Sequence, residues 1–273
     1  MTGGDVALGW RLDDFDPGRP SPARVYDYWL GGKHNFAVDR KLATDAVAFW
    51  PELPQVMRVN RAFLQRAVRF LVSAGIRQFL DLGSGIPTRG NVHEVAQEAD
   101  PEARVVYVDL DPVAVTHSRA LLAGNESAIV VQADLRDPGS LLDSSMLHSV
   151  LDLNEPVAVV MMALLHFVPD SEDPAKIVAG YRDALAPGSY LALSHGCSEG
   201  CEELAGKLEE LYHRAGTPFT LRSRAAVAEF FDGFELVEPG LAPPPVWRPD
   251  GGEGFDERKP FPGIGGVGRL LGS

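Results

Sequence analysis

The chain has 273 residues, 45% of them hydrophobic, with 25 Lys and Arg against 38 Asp and Glu, for a formal net charge of −13. That length and apolar content allow one large α/β domain with an added subdomain. The charge argues against general binding to phosphate backbones. The two cysteines are too few for a disulfide framework, and no apolar run approaches the roughly 20 residues of a membrane span.

Residues 1–20 are polar and rich in Gly, Asp and Pro, the composition of a loose tail. No signal-peptide pattern follows Met1, so the cytoplasm is the expected location. Ser21-Pro22 reads as a helix start, with Ser at the cap and Pro in the first turn. That helix carries Val25, Tyr26, Trp29 and Leu30 until Gly31-Gly32 stops it. A second helix is expected over 38–50 and a third over 59–74, where Val59, Ala62, Phe63, Ala67, Phe70, Leu71 and Ala74 share one face. Arg58, Arg61, Arg66 and Arg69 read as the solvated face of this third helix.

Strands and helices then alternate. Strands are expected at 77–82, 104–109, 128–133, 156–163 and 189–194, and helices at 90–99, 112–122, 139–149, 174–186 and 200–215. This rhythm predicts a parallel sheet covered by helices on both faces. The last two strands, at 234–237 and 263–268, have no helix between them and predict an antiparallel pair at one sheet edge. Their connection, 241–262, holds Pro243-Pro244-Pro245, Trp247 and Arg248, and a loop of that length is usually functional or mobile. Trp247 and Arg248 are candidates for one wall of a binding site. Cys201 lies on an apolar stripe with Leu204, Ala205, Leu208, Leu211, Tyr212 and Ala215, which reads as a buried thiol. A metal site with His195 would lack visible third and fourth ligands.

Phe79-Leu80-Asp81-Leu82-Gly83-Ser84-Gly85 carries the clearest functional signal: a buried strand that breaks into a glycine turn. A second apolar run ends in Asp109 one βα unit later. The pair points to a nucleoside ligand at the carboxyl ends of parallel strands. A dinucleotide fingerprint requires a third glycine, but Thr88 stands there. Asp109 also falls 24 residues after Gly85, later than the usual ribose acid. No phosphate-binding P-loop is present. Asp109 suits both ribose hydroxyls, because an ionised carboxylate only accepts hydrogen bonds. Asp134 can accept from an adenine amine while Leu135 packs on the ring. Ala163-Leu164-Leu165-His166-Phe167 lines the cleft floor. His166 is the one candidate general base.

The ordered set Asp81-Leu82-Gly83-Ser84-Gly85, Val108-Asp109, Ala133-Asp134-Leu135 and Leu164-Leu165-His166 resembles the class I S-adenosylmethionine-dependent methyltransferases. The stretch from Pro22 to Phe36, including Tyr26-Asp27-Tyr28-Trp29-Leu30-Gly31-Gly32-Lys33, is similar to the bacterial S-adenosyl methyltransferase family once called DUF574. Asn60-Arg61-Ala62-Phe63 and Gln78-Phe79-Leu80-Asp81 match that family too. The resemblance implies an α/β, Rossmann-like methyltransferase fold with a seven-stranded, mostly parallel sheet. It also implies an N-terminal helical cap over 21–58 and a methyltransferase domain over 59–273. Cofactor contacts are expected from Asp81, Gly83, Ser84, Gly85, Asp109 and Leu110. Further contacts are expected from Asp134, Leu135, Ala163 and Leu164, with Tyr26 and Lys33 closing the site as a lid. The implied reaction moves a methyl group from S-adenosylmethionine to a small molecule and releases S-adenosylhomocysteine. A non-catalytic module that senses either adenosyl ligand is the alternative, and an NAD-dependent enzyme is disfavoured by the missing glycine.

Overall fold

The computed structural model describes residues 16–251 and 261–272. Three helices come first: α1 (Pro22–Trp29), α2 (Ala37–Phe49) and α3 (Leu53–Ser73). Alternation follows through β1 (Gln78–Leu82), α4 (Val92–Ala99), β2 (Arg104–Asp109), α5 (Pro112–Leu121), β3 (Ala128–Gln132), α6 (Pro138–Leu142), α7 (Ser145–His148) and β4 (Ala158–Met162). Then come α8 (Pro174–Arg182), β5 (Tyr190–Gly196), α9 (Glu202–Arg214), α10 (Arg224–Glu229), β6 (Phe234–Leu236) and β7 (Gly263–Leu270). The seven strands form one sheet in the order β3-β2-β1-β4-β5-β7-β6. Strands β1 to β5 pair in parallel. Strand β7 runs antiparallel to both β5 and β6. This is the expected fold class, with the antiparallel β7 threaded between β5 and a short edge strand β6.

Every residue of β1 is buried, as a strand covered on both faces must be. Leu80 and Leu82 enter one apolar cluster with Val106, Val159 and Leu191. Phe79 enters the cluster on the other face with Phe63, Val105 and Trp247. A third cluster joins Val25, Trp29, Leu42, Trp50 and Leu53 of the N-terminal helices to Leu208 and Tyr212 of α9. The cap is therefore cored against α9.

Several expected boundaries move. Helix α3 begins at Leu53 with Pro54 in its first turn, so it runs uninterrupted through the expected domain junction at 58/59. The expected 139–149 helix splits into α6 and α7 around Asp143 and Ser144. Helix α10, six residues long, gave no sequence signal. Ser21 makes no side-chain cap; its N–H donates to Asp39 Oδ1 at 2.9 Å instead. Residues 1–15 of the expected tail lie outside the described residues. The remainder is fastened, because Arg24 donates to the Arg19 carbonyl at 2.6 Å and Arg19 donates to the Gly216 carbonyl. In the 241–262 connection, 252–260 lie outside the described residues. Ala242 bridges Gly265 on β7, and Trp247 is fully buried.

Candidate active site

Strands β1 and β4 are neighbours whose partners lie on opposite sides, which opens a crevice at their carboxyl ends. A cavity of about 710 Å³ occupies it, within the range of small-ligand sites. One end is walled by the ends of β1 to β4. The other is walled by α1, the start of α3, α9 and the segment 217–221.

The glycine turn is built by close contact. Gly83 has φ +64°, and a β-carbon there would sit 2.2 Å from Leu164 Cδ1. Gly85 has φ +68°, and a β-carbon there would meet only open space. Both conformations favour glycine, but only Gly83 is required by packing. Ser84 N–H donates to the Val108 carbonyl at 3.1 Å. Gly85 N–H donates to Asp109 Oδ2 at 2.7 Å, and Asp111 N–H donates to Asp109 Oδ1 at 2.8 Å. Asp109 thus pins the turn, and each oxygen keeps a lone pair for a ligand. Burial pushes its carboxyl up to about 6, against the backbone hydrogen bonds from Asp111 and Gly85. Leu110 is 38% exposed at the cavity edge, an apolar shelf beside this acid.

Asp81 is buried and has no hydrogen-bond partner among the described residues. Burial raises its carboxyl to about 7, with Arg61 opposing and Asp109 reinforcing the rise. Three polar atoms near this acid are sealed from solvent without partners: Arg61 Nε, Ser84 Oγ and Thr88 Oγ1. All three residues border the cavity. Orphaned buried donors are rare, because each carries a desolvation cost of about 1–3 kcal/mol. Such a group fits a ligand bearing both an ammonium and a carboxylate.

Asp134 has a protein partner. Arg136 Nε lies 2.9 Å from both of its oxygens, and Arg136 Nη1 lies 3.0 Å from both oxygens of Glu172. Burial acts to raise the Asp134 carboxyl, but the Arg136 hydrogen bonds and charge hold it below the ordinary carboxylate range. The open acceptor expected for an adenine amine is therefore clamped. Leu135 borders the cavity, and its carbonyl accepts from Tyr181 Oη at 2.8 Å.

At the end of β4, Ala163 adopts φ +52°, a strained conformation for a residue with a β-carbon. Its N–H is held by the Ser194 carbonyl at 3.1 Å and by Ser194 Oγ at 3.0 Å. Ser194 Oγ donates to Asn60 Oδ1 at 2.7 Å, and Asn60 Nδ2 donates to Tyr26 Oη at 3.2 Å. Tyr26 Oη donates to the Met57 carbonyl at 3.1 Å. One chain of hydrogen bonds thus ties the cap, α3 and β5 to the strained residue.

His166 borders the cavity, as expected. Its Nδ1 accepts from Gly196 N–H at 3.4 Å, so the proton of the neutral ring resides on Nε2. Burial, with His195 and Arg222 nearby, pulls its pKa well below the ordinary value. A depressed histidine with Nε2 protonated is a hydrogen-bond donor and a poor base, contrary to the expected general-base role. His195 is also occupied: Arg222 Nη1 lies 3.0 Å from its Nε2. That contact leaves no lone pair for a metal. Among the described residues no group of His, Cys, Asp and Glu could hold a metal ion.

Comparison with known proteins places this geometry. The sequence model described as S-adenosyl methyltransferase matches residues 9–271. The chain belongs to the S-adenosyl methyltransferase family. It is an S-adenosylmethionine-dependent methyltransferase. A candidate methyltransferase from Thermobifida fusca YX is 42% identical, with 95% of this chain and 97% of that one covered at a TM-score of 0.88. A DUF574 family protein from Streptomyces avermitilis MA-4680 is also 42% identical, with 93% and 99% covered at a TM-score of 0.90. The plantazolicin methyltransferase BpumL, solved with a triazolic desmethylPZN analog and SAH, shares the fold at 12% identity. Its TM-score is 0.53, with 92% and 96% covered. No curated protein matches the sequence.

In this methyltransferase some expected residues leave the site. Lys33 is exposed and does not border the cavity. The reason is Asp27. Its carbonyl accepts from Gly32 N–H at 2.8 Å, and its Oδ2 accepts from His34 N–H at 2.9 Å and Asn35 Nδ2 at 2.8 Å. The Gly31–Phe36 segment is thereby folded onto its own helix. Trp247 is not an acceptor wall either. It packs edge-on against Phe63 at 5.2 Å and Phe70 at 6.0 Å, deep in the core. Arg248 stacks over Phe70 at 4.2 Å.

Other residues enter unannounced. Arg61 was read as solvated and sits half-buried at the site, donating to Asn91 Oδ1 at 2.9 Å. Arg66, read the same way, is buried and donates to the Trp247 carbonyl at 2.9 Å. Arg24 is buried, 2.8 Å from Asp39 and 3.1 Å from Asp111, so it straps the cap to the start of α5. No helix among the described residues is long and apolar enough to cross a membrane.

Proposed function

We propose that the methyltransferase acts on a small organic acceptor held between its helical cap and α9, with the cofactor along the strand ends. The cap is the unit before α3, and α3 belongs to both halves. Asp109 accepts from the ribose hydroxyls with the lone pairs left by Gly85 and Asp111. Leu110 and Leu135 sandwich the adenine. Asp134, clamped by Arg136, borders its outer edge. Asp81 takes the methionine ammonium, and Arg61 and Ser84 donate to the carboxylate. Gly83, Ala163 and Leu164 shape the turn so that backbone can approach the ligand, while Tyr26 closes the wall. When bound, S-adenosylmethionine supplies an electrophilic methyl on a sulfonium, which leaves as S-adenosylhomocysteine.

The chain's own contribution to the step is alignment and exclusion of water. His166 contributes a donated hydrogen bond from Nε2. The acceptor's proton passes to solvent, because Asp81 and Asp109 are engaged by the cofactor and His166 is a poor base. The single observation that carries this reading is the set of orphaned atoms, Arg61 Nε, Ser84 Oγ and Thr88 Oγ1, beside the unpaired Asp81.

Calorimetric titration with S-adenosylmethionine, S-adenosylhomocysteine and NAD tests it. Both adenosyl ligands are expected to bind and NAD to fail. Arg61→Ala should weaken S-adenosylhomocysteine by about 1.5–3 kcal/mol, the scale of a hydrogen bond to a charged group. Unchanged affinity in a folded Arg61→Ala protein would remove the arginine from the carboxylate.

A further inference from the structure

The cap end of the cavity differs from the strand end in chemistry. Phe167 and Phe219 lie 5.3 Å apart, and Phe219 stacks on Tyr212 at 4.6 Å with planes 13° apart. His166 meets Phe219 at 5.0 Å. Trp50 borders the same space. Three polar atoms in this aromatic wall lack partners among the described residues: Tyr212 Oη, Trp50 Nε1 and His166 Nε2. Their residues are only 2%, 5% and 7% exposed. All three residues line the cavity, so a molecule that fills it must supply these groups with partners in place of water.

Their chemistry is one-sided. The indole N–H only donates, His166 Nε2 donates in the tautomer set by Gly196, and the tyrosine can donate. Burial, with Asp39 nearby, raises the Tyr212 pKa, which keeps its phenol neutral. Two arginines border this end among the described residues. Arg24 is paired with Asp39 and Asp111, and the exposed Arg19 donates to Gly216. Of the acids at this end among the described residues, Asp39 is paired with Arg24, and Asp16 is exposed and turned to Gly18 N–H at 2.7 Å. A charged acceptor would lose its hydration against a paired Arg24 and a solvent-exposed Arg19, and burying such a charge is costly.

We infer that the methyl acceptor is a neutral, planar aromatic molecule with an oxygen or ring nitrogen that accepts hydrogen bonds. This rests on the reading that the cofactor fills the strand end. Aromatic faces stack on Phe167, Phe219 and Tyr212, and the heteroatom receives Tyr212 Oη, Trp50 Nε1 or His166 Nε2. Specificity follows from what is left unpaired: a saturated or charged molecule of the same size strands the three donors.

The test uses the full chain with saturating S-adenosylhomocysteine and two matched probes, 2-naphthol and 6-hydroxy-2-naphthoate. Binding is read by tryptophan fluorescence and by calorimetry. The neutral probe is expected to bind at least about tenfold tighter than the carboxylate. Tyr212→Phe keeps the stacking ring and should weaken 2-naphthol by about three- to tenfold, with S-adenosylhomocysteine affinity unchanged. Equal or tighter binding of the carboxylate would overturn the inference. So would absent 2-naphthol binding while S-adenosylhomocysteine still binds. If S-adenosylhomocysteine itself fails to bind, the cofactor reading falls, and the probe ranking in the free protein still decides the acceptor class.

Discussion

At the strand end of the cavity, the principal binding groups sit at the ends of two adjacent strands, Asp81 to Gly85 at the end of β1 and Asp109 at the end of β2. At the cap end they are side chains from Trp50, His166, Tyr212 and Phe219, spread over 170 positions. The first end is fixed by local geometry: Asp109 holds Gly85 N–H before any ligand arrives. The second exists only once α1, α2 and α9 share a core. A site fixed at the ends of paired strands can be kept while a site made of side chains from packed helices varies. That separation suits a cofactor that is constant and an acceptor that is not.

Mutations can break the comparison. The largest effect is expected from Arg24→Ala, which leaves the fully buried Asp39 without its cation. Loss of one partner from a buried pair costs about 3–5 kcal/mol, read from urea unfolding. A loss below about 1 kcal/mol would mean that the strap does not hold the cap. Next comes Asp109→Ala, expected to weaken S-adenosylhomocysteine by about 1.5–3 kcal/mol in titration. A wild-type affinity in the folded variant would move the ribose elsewhere.

A subtler effect is pH dependence. The Asp81 carboxyl titrates at about 7 rather than 3.8 in the fold. The native state therefore binds this proton more tightly than the unfolded chain, and the group's contribution to stability falls as pH rises between those values. Ligand binding has the opposite slope, because an ammonium needs the ionised carboxylate. Affinity for S-adenosylmethionine should rise from about pH 6 to about pH 7.5, and Asp81→Asn should flatten the profile. A pH-independent affinity in the wild type would separate Asp81 from the ammonium. Smallest of all, Lys33→Ala should change cofactor affinity by less than about 0.5 kcal/mol, as for an ordinary surface position. A larger loss in titration would restore the lid.

The strands were legible because parallel strands buried on both faces read as continuous apolar runs. The turn at Gly83 and Gly85 was legible because positive φ and close approach demand a specific residue. Arg61 and Arg66 were misread for a physical reason. Periodicity shows which face of α3 is polar but not that 244–247 and the glycine turn come to cover it. Trp247 was misread because its neighbours, Phe63 and Phe70, lie 184 and 177 residues before it in the chain. His166 borders the cavity, and its tautomer depends on Gly196 N–H, which no motif encodes. Tyr212 looked like one more residue on an apolar stripe, because a stripe does not reveal an unpaired hydroxyl.

Helix α3 carries Leu53 into the cap core, Asn60 into the hydrogen bonds below the cleft and Phe63 into the sheet. A single rod of 21 residues thus leaves no hinge at which the two functions could be cut apart. Anyone seeking to retarget this enzyme by grafting a foreign cap would have no linker to splice. The workable route is to repaint the chamber residue by residue, at positions such as Trp50 and Phe219, and leave the rod alone.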